Sequence, residues 1–120
     1  MKFDKERKTI EINRGDKGTL KLVNKNDTFK TGDEFKFSIM EKGDYDKVLF
    51  QKKFKVLEES NVFFLTFTSE DMRFYEPISK KKEFIYELEM NGDTTLIGCD
   101  EERDKKFVLY PEAGNKEEAN

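Results

Sequence analysis

Chemistry in a protein chain needs reactive side chains at a workable spacing, and here the acidic residues are the first to test. Asp44 and Asp46 stand two apart, and Asp100, Glu101 and Glu102 are contiguous, so either group could set carboxylates face to face. A general acid needs a carboxyl sheltered enough to hold its proton near neutrality. Both groups fall in hydrophilic stretches where water screens them, and they point away from acid/base catalysis. Asp100-Glu101-Glu102-Arg103-Asp104 lacks the ligand spacing and turn glycine of a calcium loop and reads as solvated charge. The chain has no histidine and one cysteine, Cys99. Ser and Thr therefore have no imidazole base, and neither a cysteine metal cage nor an intrachain disulfide can form. Cys99 reads as a small apolar residue of the core face. Gly15 and Gly18 open no helix, so they make no phosphate loop. Arg14-Gly15-Asp16 is the tripeptide that integrins read on exposed loops. Between two short strands it reads instead as a turn, with Gly15 supplying positive φ and Asp16 capping it. The chemistry expected is that of a non-enzyme without cofactor or metal.

Charge narrows the partners. Lys and Arg total 23 against 26 Asp and Glu, a net charge of -3. Nucleic-acid binders carry a basic excess or stripe, which is absent here. Lys80-Lys81-Lys82, Lys52-Lys53 and Lys105-Lys106 read as solubilising gatekeepers beside apolar strands. No apolar run approaches the length of a membrane span, and Met1 to Lys8 is not a secretory signal. A chain that folds in a reducing cytoplasm during synthesis and is kept soluble, with no nucleic-acid or membrane partner, is the expectation. A mean hydropathy of -0.88 and 41% charged residues would suggest disorder. Twelve Phe and four Tyr are too much aromatic surface to leave in water, so a core must form.

The elements that build this core follow from apolar alternation. Residues 1–8 are charged and expected to fray. Thr9–Asn13 turns Ile10 and Ile12 inward, and Thr19–Val23, with Leu20 and Leu22, is expected to pair with it across the Arg14–Gly18 turn. Phe29 in the following loop can fold back to plug one end of the core. Glu34–Glu41 alternates Phe35, Phe37 and Ile39 with polar residues. Lys47–Leu57 follows, with a bulge near Gln51-Lys52 where alternation breaks. Val62–Thr68 carries Phe63, Leu65 and Phe67 on one face. Thr68 to Tyr75 has the capping residue and acidic first turn of a short helix, ended by Pro77. Phe84 to Cys99 reads as a hairpin, and Lys106–Tyr110 is a last strand stopped by Pro111. About seven or eight strands at roughly 8–12-residue spacing, without βαβ alternation, argue for an antiparallel β-sandwich over residues 9–110. Residues 111–120 are expected to form a flexible acidic tail.

The hairpin has two possible registers. A two-residue Asn91-Gly92 loop pairs Tyr86 with Ile97 and Phe84 with Cys99 and buries the cysteine; it is the preferred one. A three-residue loop including Asp93 places Leu96 opposite Leu88 instead. It would leave Ile85, Ile97 and Cys99 as an exposed apolar stripe. Ile85, Leu96 and Ile97 are accordingly the candidate interaction surface.

Several of these stretches resemble a known family. Ile10-Glu11-Ile12-Asn13-Arg14-Gly15-Asp16 leads into a short strand, and Phe29-Lys30-Thr31-Gly32-Asp33 precedes the alternating Glu34-Phe35-Lys36-Phe37. Thr66-Phe67-Thr68-Ser69-Glu70-Asp71 enters a one-turn crossover, and Phe84-Ile85-Tyr86-Glu87-Leu88 leads to Thr95-Leu96-Ile97-Gly98. Together, over residues 8–110, they resemble the small immunoglobulin-like domains of phage and prophage structural genes, such as the N-terminal domain of siphophage baseplate upper proteins. The sequence departs from that pattern at Ser79-Lys80-Lys81-Lys82-Glu83, which has no glycine, and at Tyr86-Glu87, where the family pattern has Tyr-Asp. The resemblance implies an immunoglobulin-like sandwich serving as a tail or baseplate component of the virion. It would contact other phage structural proteins or copies of itself, as a homo-oligomer. Two other roles fit the composition: a small phage-encoded protein that inhibits or recruits a host protein, and a carbohydrate-binding sandwich using Tyr45, Phe74 and Tyr75.

Overall fold

In the computed structural model, residues 1–98 and 105–112 are described. They form a β-sandwich with one 3₁₀ turn, Asp71–Arg73. The strands are β1 (Lys2–Asp4), β2 (Thr9–Asn13), β3 (Gly18–Val23), β4 (Glu34–Glu41), β5 (Asp44–Lys55), β6 (Val62–Phe67), β7 (Lys82–Met90), β8 (Thr94–Ile97) and β9 (Lys106–Tyr110). One sheet has the order β1-β2-β9-β7-β4-β5, with β8 paired to the second half of β7; the other holds only β3 and β6. In immunoglobulin terms β4, β7 and β9 occupy the C, F and G positions, β5 the C′ position, and β3 and β6 the B and E positions. Every pairing is antiparallel except that of β2 with β9, which is parallel.

Alternation places the core between the sheets. Phe35, Phe37 and Ile39 of β4, Phe84, Tyr86 and Leu88 of β7, and Phe107 and Leu109 of β9 meet Leu65 and Phe67 of β6. Each fully buried ring of this set contributes about 2–3 kcal/mol by removal from water. Phe37 touches both sheets: its ring centroid lies 5.0 Å from Phe67 and 5.4 Å from Tyr86. Phe29 is buried and meets Phe35 edge-on, closing one end of the core as expected.

Four expectations need correction. The N-terminus is not frayed. β1 pairs with β2, Phe3 packs against the core, and Met1 lies so close to Gly18 that a Cβ there would sit 2.8 Å from its Cε. Next, β3 does not pair with β2. The Arg14–Lys17 turn, with Gly15 at φ +83°, is tied to Met72 and Tyr110 by backbone hydrogen bonds and carries the chain into the other sheet. The first residues after β9 are not a free tail: Glu112 Oε1 accepts from Arg14 Nη1 (3.1 Å) and Arg73 Nε (2.9 Å). The rest of the expected tail, residues 113–120, lies outside the described residues.

The last correction concerns the hairpin. Its loop is Asn91-Gly92-Asp93, so Met90 faces Thr94 and Glu89 faces Thr95, but a bulge then sets Leu88 opposite Ile97. Positive φ at Asn91 and Gly92 makes the turn. The bulge inserts one residue and turns Ile97 back toward the core, so the outcome combines the loop of one register with the inward Ile97 of the other. Cys99, which decided the preference between them, is outside the described residues. The break in β5 lies opposite Ile39/Met40, where Leu49 is the extra residue, slightly before the expected Gln51-Lys52.

Candidate functional site

The two flanks of the sandwich are finished differently. On the flank between β5 and β6, Lys52 lies cross-strand from Phe37 and so faces inward. Its ammonium donates to the Thr66 carbonyl (3.0 Å) and to Asp71 Oδ2 (2.7 Å) and sits 5.3 Å from the Phe54 ring centroid. Asp71 in turn accepts from the Thr68 N–H, while the Thr68 hydroxyl accepts from the Asp71 N–H. This reciprocal pair starts the 3₁₀ turn in the manner of a capping box. One lysine thereby stitches β5 to the edge of β6.

Burial pushes the Asp71 carboxyl up, but the hydrogen bonds from Lys52 and Thr68 and the charge of Lys52 outweigh it and hold it below its ordinary value of 3.8. A depressed folded value contributes stability above the unfolded value, and that contribution is lost as pH falls through the folded one. Asp71→Asn is therefore expected to unfold at lower urea than the parent at neutral pH, with the two midpoints converging as pH drops below about 4. A gap that is constant with pH would show that the Asp71 charge does not carry the effect.

Among the described residues the opposite flank has no such stitch. In an immunoglobulin sandwich of the constant type, strand A borders strand B. Here β1 and β2 join the large sheet, and the outer edge of β3 is left bare. The phase of the β3–β6 ladder says which groups face that edge. Asn24 N–H donates to the Asn61 carbonyl (2.8 Å), so Leu22–Phe63, Leu20–Leu65 and Gly18–Phe67 exchange hydrogen bonds. Thr19, Lys21 and Val23 consequently turn their N–H and C=O groups away from β6, and none of these groups has a partner among the described residues.

Beside this edge the space between the sheets is open. A cavity of about 370 Å³ runs between β3 and the wall formed by Phe3 and Ile97, with Phe37, Tyr86 and Leu88 as its floor. A second, of about 390 Å³, continues along β3 toward Phe29 and Met90 and shares Leu22, Val23, Leu88 and Ile97 with the first. Among the described residues the rim is cationic: Lys5, Lys8 and Lys21 border the first cavity and Lys25 the second, and no described Asp or Glu lines either. In a chain with an acidic excess this segregation is a local property of the groove. None of the four lysines forms an ion pair with another described residue. The Lys8 turn is fixed in place: Lys8 holds φ +58°, and its carbonyl accepts from the Tyr86 hydroxyl at the groove floor.

Of the residues expected to form an interaction surface, Leu96 and Ile97 line this groove, Leu96 being 44% exposed. Ile85 does not belong to it. It is 1% exposed, in the middle of the large sheet between Met40 and Lys106, whose neighbours Lys42 and Glu83 pair across that face. The tripeptide Arg14-Gly15-Asp16 is not on display, because Arg14 is committed to Glu112 and to the Tyr75 carbonyl (2.8 Å). Asp44 and Asp46 sit exposed in the β4–β5 hairpin, and Asp100, Glu101 and Glu102 lie outside the described residues. Phe74 and Tyr75 pack on Phe84 in the core, which leaves only Tyr45 of the three aromatic residues as an exposed sugar platform.

Another acidic pair was not singled out from the sequence. Glu87 and Glu89 share the outer face of β7, a consequence of their i, i+2 spacing. Burial, then the hydrogen bond and charge of Glu89, push the Glu87 carboxyl up, with Lys36 opposing. Among the described residues there is no cluster of three or more His, Cys, Asp or Glu able to hold a metal ion, and no helix long and apolar enough to cross a membrane. Comparison of the chain with protein-family models, with curated proteins and with solved structures found no match.

Proposed function

We propose that this chain is a non-enzymatic assembly module that joins a partner protein by accepting one of its strands at the bare edge of β3. The observation that carries this reading is the coincidence of unpaired backbone groups at Thr19, Lys21 and Val23 with an apolar cavity directly beside them. A strand added there would satisfy both at once: main-chain hydrogen bonds along the edge, and alternate side chains in the cavity. A bare edge above an open core is otherwise an aggregation hazard that stable proteins cover or charge. The resemblance to immunoglobulin-like tail domains supports a virion setting, with other tail or baseplate proteins as partners.

The test uses Lys21→Pro. The Lys21 N–H points away from β6, so proline there leaves the β3–β6 ladder intact and removes the central donor of the free edge. Co-expression with the products of neighbouring genes, read by light scattering, is expected to give a stoichiometric complex with the parent chain and none with Lys21→Pro. A chain that stays alone with every such product, or a complex indifferent to Lys21→Pro, contradicts the reading. A stoichiometric host enzyme in place of a tail protein would favour the inhibitor role instead.

A further inference from the structure

We infer that the strand accepted at β3 alternates apolar and acidic side chains, an inference that rests on the docking reading above. In an added strand, successive side chains point to opposite faces of the sheet. Those facing inward meet Leu20, Leu22, Phe37, Tyr86 and Leu88 and must be apolar. Two cavities follow one another along β3 and share their lining at Leu22 and Leu88, so apolar residues at i and i+2 of the partner each have a place. Side chains facing outward lie beside Lys21, an exposed residue of β3 flanked by Thr19 and Val23 on the same face. Lys5 and Lys8 at one end and Lys25 at the other extend the positive rim.

The same charges argue against a second copy of this chain as the occupant. Antiparallel pairing of two β3 strands about their centres would set Lys21 opposite Lys21, and like charges directly opposite are destabilising. A small amphiphilic anion such as dodecanoate could fill the cavity and meet a lysine, but it would leave the edge N–H and C=O groups of Thr19, Lys21 and Val23 unused.

The experiment is fluorescence anisotropy with a labelled, capped peptide about as long as β3 in which isoleucine and glutamate alternate. Its counterpart replaces every glutamate with lysine, and dodecanoate serves as competitor. The isoleucine–glutamate peptide is expected to bind the parent chain and to weaken with added salt. It is expected to bind about three- to tenfold more weakly for each of Lys21→Glu and Lys5→Glu. The lysine peptide is expected not to bind. No binding of the glutamate peptide, or equal binding of the lysine peptide, overturns the inference. If the lysine peptide binds equally and Lys21→Pro abolishes both, the acidic preference fails while strand docking stands. If the glutamate peptide binds Lys21→Pro as well as it binds the parent, or is displaced by dodecanoate without any gain of protection at β3, strand docking itself fails. Amide exchange at Thr19, Lys21 and Val23 in the parent chain reports the same pairing without any variant, so a misfolded Lys21→Pro does not leave the matter undecided.

Discussion

Phe37→Ala is expected to lower the unfolding free energy by about 3–5 kcal/mol, the cost of an emptied aromatic site in a core that cannot collapse around it. The ring is fully buried and reaches Phe67 in the small sheet and Tyr86 and Phe107 in the large one, at centroid distances of 5.0, 5.4 and 6.3 Å. Among the described residues no other ring ties β4, β6, β7 and β9 together in this way. Because Phe37 also floors the groove, its loss would enlarge the cavity on the open flank, where no strand closes it. Urea unfolding followed by circular dichroism measures the loss; a value under about 1 kcal/mol would show that the two sheets do not depend on this ring.

Arg14→Ala and Glu112→Ala are each expected to cost about 3 kcal/mol: Glu112→Ala leaves the mostly buried Arg14 charge without its carboxylate, and Arg14→Ala leaves Glu112 with only the more exposed Arg73. The Arg14 and Glu112 side chains are 13% and 17% exposed, and Arg14 also loses its bond to the Tyr75 carbonyl. Arg73 shares Glu112 but is 38% exposed and has Glu70 within reach, so Arg73→Ala should cost under about 1 kcal/mol. The order of the three in urea unfolding is the check. Equal, small losses would mean that residues 111–112 do not fasten the β2–β3 turn.

Most of the strands could be read in the sequence because a half-buried strand writes its buried face as alternation. Glu34–Glu41 and Lys106–Tyr110 fall where Phe35, Phe37, Ile39 and Phe107, Leu109 place them. β1 could not be read this way. It is three residues long, and Met1 and Phe3 give too little pattern; its place is fixed by contacts with Gly18 and β2 that are remote in sequence. The assumption that adjacent strands pair misplaced β3, since the turn at Gly15 is held by distant Met72 and Tyr110. Lys52 reads as an outward gatekeeper by its chemistry, yet it points inward because Asp71 and the Thr66 carbonyl wait for it there.

The groove was the least legible feature. It is defined by a strand that is not beside β3, and its lysines come from the β1–β2 turn, from β3 and from the loop after it, with no common motif. From the sequence, only the candidate surface of Ile85, Leu96 and Ile97 pointed to it, through Leu96 and Ile97. The bulge at Leu88/Glu89 is what brings Ile97 to the groove wall while Ile85 stays buried.

Residue-resolved amide exchange along β3, with and without the isoleucine–glutamate peptide, tests the docking edge most directly. In the chain alone, Leu20 and Leu22, bonded to β6, should exchange slowly, and Thr19, Lys21 and Val23 should exchange fast. With the peptide bound, Thr19, Lys21 and Val23 should slow to the rate of their neighbours. Slow exchange at all five positions before any partner is added, or fast exchange at Thr19, Lys21 and Val23 that a bound peptide leaves unchanged, would contradict β3 as the site where a partner strand is received.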